Sequence, residues 1–175
     1  TKHLAHIDLE NCRYLEFYKG KVYASSYAGP VEIRPDSPVG KVVEIDTTTY
    51  QITREVAVGY QPEEILVHNG KLYVANSGGY RVPDYDNTVS IIELETFKVI
   101  KTLEVGVNMH RIKVDNYGDI YVSSRGDYYN IPSNLYVIDS KTDEVKQTLN
   151  IPVSNMCVVG DSLYYYSTEW SYNTS

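Results

Sequence analysis

Apolar and polar residues alternate along short runs of this chain instead of recurring every three or four positions. In Lys98–Val105, the residues Val99, Lys101, Leu103 and Val105 fall on one side of an extended backbone, and Ile100, Thr102 and Glu104 fall on the other. That is the period-two pattern of a strand with one covered face. β-Branched and aromatic residues fill such runs, while Gly, Asn, Asp and Pro separate them, as strands and turns require. No long window carries a helical stripe, so the sequence predicts an all-β chain with helix content near zero.

The runs also repeat. KVYASS (residues 21–26), KLYVAN (71–76), DIYVSS (119–124) and SLYYYS (162–167) align on Tyr23, Tyr73, Tyr121 and Tyr164. A second register places Ile45, Leu94 and Ile138 together, each followed by an acid: Asp46, Glu95 and Asp139. A third aligns Val58, Val105 and Ile151. Four strand-like runs recurring every roughly 40–50 residues are the signature of a β-propeller blade. One such sheet cannot cover both of its faces and must stack on neighbours. A β-sandwich also has many short strands, but it does not require this self-similarity. The expected fold is therefore a β-propeller of four-stranded antiparallel blades. Residues 12–61, 62–107 and 108–152 read as three blades, with incomplete blades at 1–11 and 153–175. Near the start, HLAHIDLEN resembles the third strand of a blade, with Asp8 in the slot of Asp46.

Tyr73-Val74-Ala75-Asn76, followed by Val89–Thr96 and Thr102–Gly106, resembles the YVTN-type propeller repeat, and so do Tyr121–Ser124 and Leu135–Ser140. The resemblance covers most of the chain. It implies a seven-bladed type of propeller, of which about three and a half to four blades are present, and a surface-layer-like bacterial protein acting outside the cytoplasm, in the periplasm or at the cell surface. It implies nothing for the long tyrosine-rich loops, which depart from the family pattern. Seven blades need on the order of 315 residues. An open arc leaves uncovered sheet faces and edges, so the remaining blades are expected from the parent chain or a second copy.

Composition narrows the function classes. A formal net charge of -7 argues against a nucleic-acid partner, which needs a basic surface. No run of about 18 apolar residues exists to span a membrane, and TKHLAHIDLE lacks the apolar core of a signal peptide. The chain has 18 tyrosines against 2 phenylalanines, a bias that suits recognition surfaces because tyrosine joins a flat apolar face to a polar tip. Cys12 and Cys157 have neither metal-ligand spacing nor the closeness of a local disulfide, and are expected to be buried or half-buried thiols.

Within a blade the chain runs down, up, down and up, so the loops after the second strand share one face, the top. These loops, 27–39, 77–87 and 125–133, are long and varied, the kind that carries binding on a rigid scaffold. With TEWSYN near the end, they should gather Tyr27, Arg34, Tyr80, Arg81, Tyr85, Arg125, Tyr128, Tyr129, Trp170 and Tyr172 on one face, where the aromatics serve recognition or pack loop against loop. At the mouth of the central channel, aligned first strands place Arg13, Glu63, His110 and Ser154 in one slot and Tyr14, Glu64, Arg111 and Asn155 in the next. Apolar Leu15, Ile65, Ile112 and Met156 follow. Differing polar groups in equivalent slots suit an asymmetric ligand, and Arg13 and Tyr14 join the loop residues as ligand-binding candidates. The expected function is non-catalytic binding of a glycan, peptide or protein partner at the cell envelope. The catalytic alternative is a lyase or hydrolase with His110 as acid or base, Glu63 or Glu64 beside it and Arg111 stabilising an anion. A third is a structural element of a larger surface assembly. No G-x-S-x-G, P-loop or H-E-x-x-H occurs. Asp84–Asn87 reads as a turn, not a calcium loop, and neither cofactor nor metal is expected.

Overall fold

The computed structural model describes residues 3–168. Strands β1 (Cys12–Tyr18), β2 (Lys21–Ser26), β3 (Lys41–Asp46) and β4 (Ile52–Ala57) form one antiparallel sheet. The second holds β5 (Pro62–His68), β6 (Lys71–Asn76), β7 (Thr88–Glu93) and β8 (Lys98–Glu104). The third holds β9 (Met109–Val114), β10 (Asp119–Ser124), β11 (Asn134–Asp139) and β12 (Glu144–Thr148), and a hairpin of β13 (Asn155–Val159) and β14 (Ser162–Tyr166) follows. Each sheet is ordered as its strands occur in the chain. The protein is all-β, built of the four-stranded antiparallel blades of a β-propeller. Among the described residues there is no helix, and so none long and apolar enough to cross a membrane.

Innermost strands β1, β5, β9 and β13 neighbour one another in that order, and the core lies between blades. Tyr23, Val42, Ile65, Leu72, Val74 and Ile92 fill the space between the first two sheets. Tyr73, Ile91, Met109, Ile112, Ile120 and Ile138 fill the next, and Leu135, Val153 and Met156 the third. Burial of this apolar surface, at about 25 cal/mol per Å², is what holds one blade to another.

The turns explain the repeat. At Lys19-Gly20 and Asn69-Gly70 both residues have positive φ, 48° and 72° in the first and 47° and 76° in the second. That is the type I′ geometry whose twist matches a hairpin, and the second position suits glycine. Where the third strand turns into the fourth, the amides of Tyr50, Phe97 and Asp143 donate to the carbonyls of Asp46, Glu93 and Asp139. The structural equivalents are thus Ile45-Asp46, Ile92-Glu93 and Ile138-Asp139, and bulges at Glu44/Ile45, Ile91/Ile92 and Val137/Ile138 repeat the same register. Leu94 and Glu95, aligned with Ile45 and Asp46 on sequence, lie two residues late. A slip of two preserves the face of every side chain, so alternation alone does not reveal it.

Two other expectations are corrected. Residues 3–9 form no strand; Ile7 and Leu9 pack on Val22, Ala24, Val43 and Ile45 without a strand beside them to complete a ladder. Cys12 and Cys157 are free and exposed, because they lie on the innermost strands of the first and last described sheets, where no further blade covers them. Phe17, 70% exposed, and Leu15 share that outer face of the first blade, beside a cavity of about 370 Å³ that Ile7, Leu9 and Val22 also line.

Candidate functional site

The channel mouth is built by one irregularity repeated three times. Register runs from Cys12↔Ser26 to Leu15↔Ala24, from Pro62↔Asn76 to Ile65↔Val74, and from Met109↔Ser124 to Ile112↔Val122. In each blade two residues of the innermost strand oppose one of its neighbour, which is a β-bulge. The freed pairs are Arg13-Tyr14, Glu63-Glu64 and His110-Arg111, the variable slots. Serine hydroxyls replace the missing ladder bonds: the Tyr14 amide donates to Ser25 Oγ and the Arg111 amide to Ser123 Oγ, both at 3.1 Å. In the core slot next to the bulge Ile65 and Ile112 are buried, as is Met156 in the matching slot of the unbulged β13, whereas Leu15 on the outer face of the first blade is exposed, so the mouth residues of the second and third blades vary on a fixed support.

Glu63 joins blade one to blade two. Its Oε1 accepts a hydrogen bond from the Tyr27 hydroxyl and stands 3.6 Å from the Arg13 guanidinium. Arg13 lies 4.8 Å from the centre of the Tyr27 ring. Burial, then the Glu63 charge, pushes the Tyr27 phenol above its ordinary range, so it stays protonated and donates. Glu64 points the other way, accepting from the Ile112 amide at 2.8 Å and the Lys113 ammonium at 2.5 Å, and so ties blade two to blade three.

His110, only 6% exposed, faces Arg125, whose Nη2 lies 2.7 Å from the imidazole Nε2. A guanidinium only donates, so this imidazole accepts and is neutral. Burial, then Arg125 and Arg13, lowers its pKa to about 3. Arg111 crosses the channel from the third blade to the first, with its guanidinium 5.0 Å from the Tyr14 ring centre. Burial, then Arg125 and Arg13, pushes it below the ordinary arginine range. Among the described residues no carboxylate stands within 4.0 Å of Arg111 or Arg125, and Arg111 Nε is buried without a hydrogen-bond partner. A chain of net charge -7 thus gathers three guanidiniums at one mouth, with the Glu63 carboxylate against Arg13 alone.

The top loops meet there in sequence order. The Arg34 amide donates to the Tyr80 carbonyl at 2.9 Å, and Arg81 donates to the Pro35 carbonyl while stacking 3.7 Å from the Tyr60 ring centre. Tyr27 and Tyr80 make an edge contact at 6.3 Å, and so do Tyr85 and Tyr128. The tyrosines divide by role. Tyr27, 2% exposed, and half-buried Tyr80 bind loop to loop, whereas Tyr128 and Tyr129 (86% exposed) face outward. The Asp127 carboxylate fixes that third loop by accepting from the amides of Tyr129, Asn130 and Ile131. Asp86, from the Asp84–Asn87 run, accepts from the Tyr60 amide and from Thr88. Trp170 and Tyr172 lie outside the described residues.

Beside the mouth, between the third blade and the β13–β14 hairpin, His110, Arg125 and Tyr128 border a cleft of about 450 Å³, with Ser124, Ser133, Val153, Ser154 and Thr168 completing it. Ser154 and Thr168, joined hydroxyl to hydroxyl at 2.9 Å, are not among the sequence-level candidates. Ser154 is detectable by its slot beside Arg13, Glu63 and His110; Thr168 carries no signal of its own.

Neither a family model nor a curated protein matches this sequence. Solved structures do. Hydrazine Synthase from Kuenenia stuttgartiensis is 24% identical, with a TM-score of 0.63 over 82% of this chain and 37% of that one. The computationally designed Ika8 protein is 12% identical, with a TM-score of 0.63 over 87% of this chain and 41% of that one. These likenesses are of fold. The chain spans about two fifths of the length of either solved chain.

Proposed function

We propose that this chain is part of a non-catalytic, ligand-binding β-propeller of the YVTN type that works outside the cytoplasm, at a bacterial cell envelope. It engages a glycan, peptide or protein through the channel mouth and the Tyr/Arg-rich top loops. The observation that carries this reading is the half-buried guanidinium pair, Arg111 at the bulge of the third blade and Arg125 in the loop after β10, without a carboxylate partner among the described residues. Uncompensated charge of this kind costs stability, and a ligand group offsets it on binding. Exposed Tyr128 and Tyr129 on a loop braced by Asp127 add the rigid aromatic contacts typical of recognition surfaces. His110 supports binding over catalysis: its near partner is Arg125, not Glu63 or Glu64, and a pKa near 3 suits a general base at neutral pH poorly. Further blades, from the parent chain or a second copy, cover the outer face that carries Leu15 and Phe17.

The test is capture of glycan and peptide panels on the immobilised chain. Tyr129→Ala should weaken capture about tenfold, as loss of an aromatic anchor does, with an unchanged melting temperature. Turnover of a panel member that disappears in His110→Ala would replace this reading with the lyase or hydrolase one.

A further inference from the structure

We propose that the cleft between the third blade and the β13–β14 hairpin binds a sugar acid, with Arg125 holding its carboxylate. This deepens the binding reading above and rests on it. An arginine side chain carries five N–H donors in a planar fork that matches a carboxylate. Arg125 commits Nη2 to His110 and makes no other side-chain hydrogen bond among the described residues. The rest of the fork is left for a planar two-oxygen acceptor. Because His110 is an acceptor here, it fixes the guanidinium without cancelling its charge.

The remaining lining selects the body of the ligand. Ser154 Oγ and Thr168 Oγ1 stand 2.9 Å apart, a hydroxyl pair able both to donate to and accept from a polyhydroxylated ring. Tyr128 borders the same cleft with its ring exposed and braced edge-on by Tyr85 at 6.3 Å. It offers a flat apolar surface for the C–H face of a sugar. Val153 is the only aliphatic residue in the lining among the described residues. The volume of about 450 Å³ falls within the roughly 300–1,000 Å³ range of small-molecule sites. Among the described residues Arg125 is the single guanidinium in this lining, so one carboxylate balances the charge.

The experiment is calorimetric titration of the full chain with D-glucuronate, with D-glucose as the neutral analogue on the same ring, and with inorganic phosphate and triglutamate as other anions. Glucuronate is expected to bind at least about tenfold more tightly than glucose, the factor set by a charge-assisted hydrogen bond. Arg125→Gln should remove that preference, and Ser154→Ala should weaken glucuronate while leaving the carboxylate preference intact. Equal affinity for glucuronate and glucose in the native chain overturns the proposal without need of any variant. So does a glucuronate affinity unchanged by Arg125→Gln, or phosphate or triglutamate binding as tightly as glucuronate. Tyr129-dependent capture of a panel ligand together with no glucuronate preference sinks the sugar acid and leaves the binding reading standing; absence of both sinks the two together.

Discussion

The His110–Arg125 contact makes the chain acid-sensitive in a way one substitution should remove. Burial, with Arg125 and Arg13 nearby, lowers the His110 pKa to about 3, whereas an unfolded histidine titrates near 6.5. Between those values the unfolded state binds the proton and the folded state does not, so stability falls as pH drops through that window and is fully present above it. Each pH unit below 6.5 removes about 1.4 kcal/mol; from pH 7 to pH 5 the loss is therefore about 2 kcal/mol. His110→Gln keeps an acceptor for Arg125 but cannot titrate. The assay is urea unfolding of both proteins at pH 7 and pH 5, comparing the change in each. The His68 pKa is also lowered, by burial and then Lys71, but His68 is common to both proteins and cancels. The native chain should lose about 2 kcal/mol more than the variant over this interval. Equal losses would refute a neutral, buried His110 against Arg125, and with it the unbalanced charge at the mouth.

Two substitutions test how the blades and loops are held. Tyr73→Phe removes the hydroxyl that donates to Asp143 Oδ1 at 2.7 Å across the interface between the second and third blades, leaving that carboxylate to Lys71; it should cost about 1–3 kcal/mol in urea unfolding, and a loss within error would mean the pair contributes nothing net. Gly126 has φ +67°, and a Cβ there meets the Ile131 carbonyl; Gly126→Ala should lower stability by about 1 kcal/mol or more, and a melting temperature equal to the native one would show that the third loop is not held as described.

Much of the fold is readable from the sequence because the hairpin turns and inter-blade faces impose the same residues at the same places. Tyr23, Tyr73 and Tyr121 oppose Glu44, Ile91 and Val137 in one register, and that regularity survives in the sequence. The slip at Leu94 shows the limit: parity of facing is conserved through a shift of two, and only the turn bonds to Asp46, Glu93 and Asp139 fix the count. At the mouth, the slots are legible but the pairings are not. In the alignment His110 shares the slot of Glu63 and adjoins that of Glu64, one blade on, yet its partner comes from the loop after β10. Glu64 reaches forward to Ile112 and Lys113 because a bulge turns it toward the next blade. Composition likewise cannot separate buried Tyr27 from exposed Tyr129; the difference lies in whether a neighbouring blade, here through Glu63, receives the hydroxyl.

The bulges connect these observations. A regular ladder would fix the side chains of the innermost strand by period two, and the mouth would then show the same apolar and polar alternation in every blade. Opposing two residues to one releases a pair from that constraint in each of the three bulged blades, while Ile65 and Ile112 next to it remain packed. Sequence change in the freed pair is therefore cheap for the fold, and it has produced Arg-Tyr, Glu-Glu and His-Arg in successive blades. Cheapness explains variety but not the sign of the charge. A chain of net -7 has carboxylates to place against Arg111 and Arg125, and the neighbouring Glu64 instead pairs with Lys113. Local rules that a fold breaks without compensation mark places under functional demand, and the two half-buried guanidiniums, one on Tyr14 and one on His110, are where this fold breaks them.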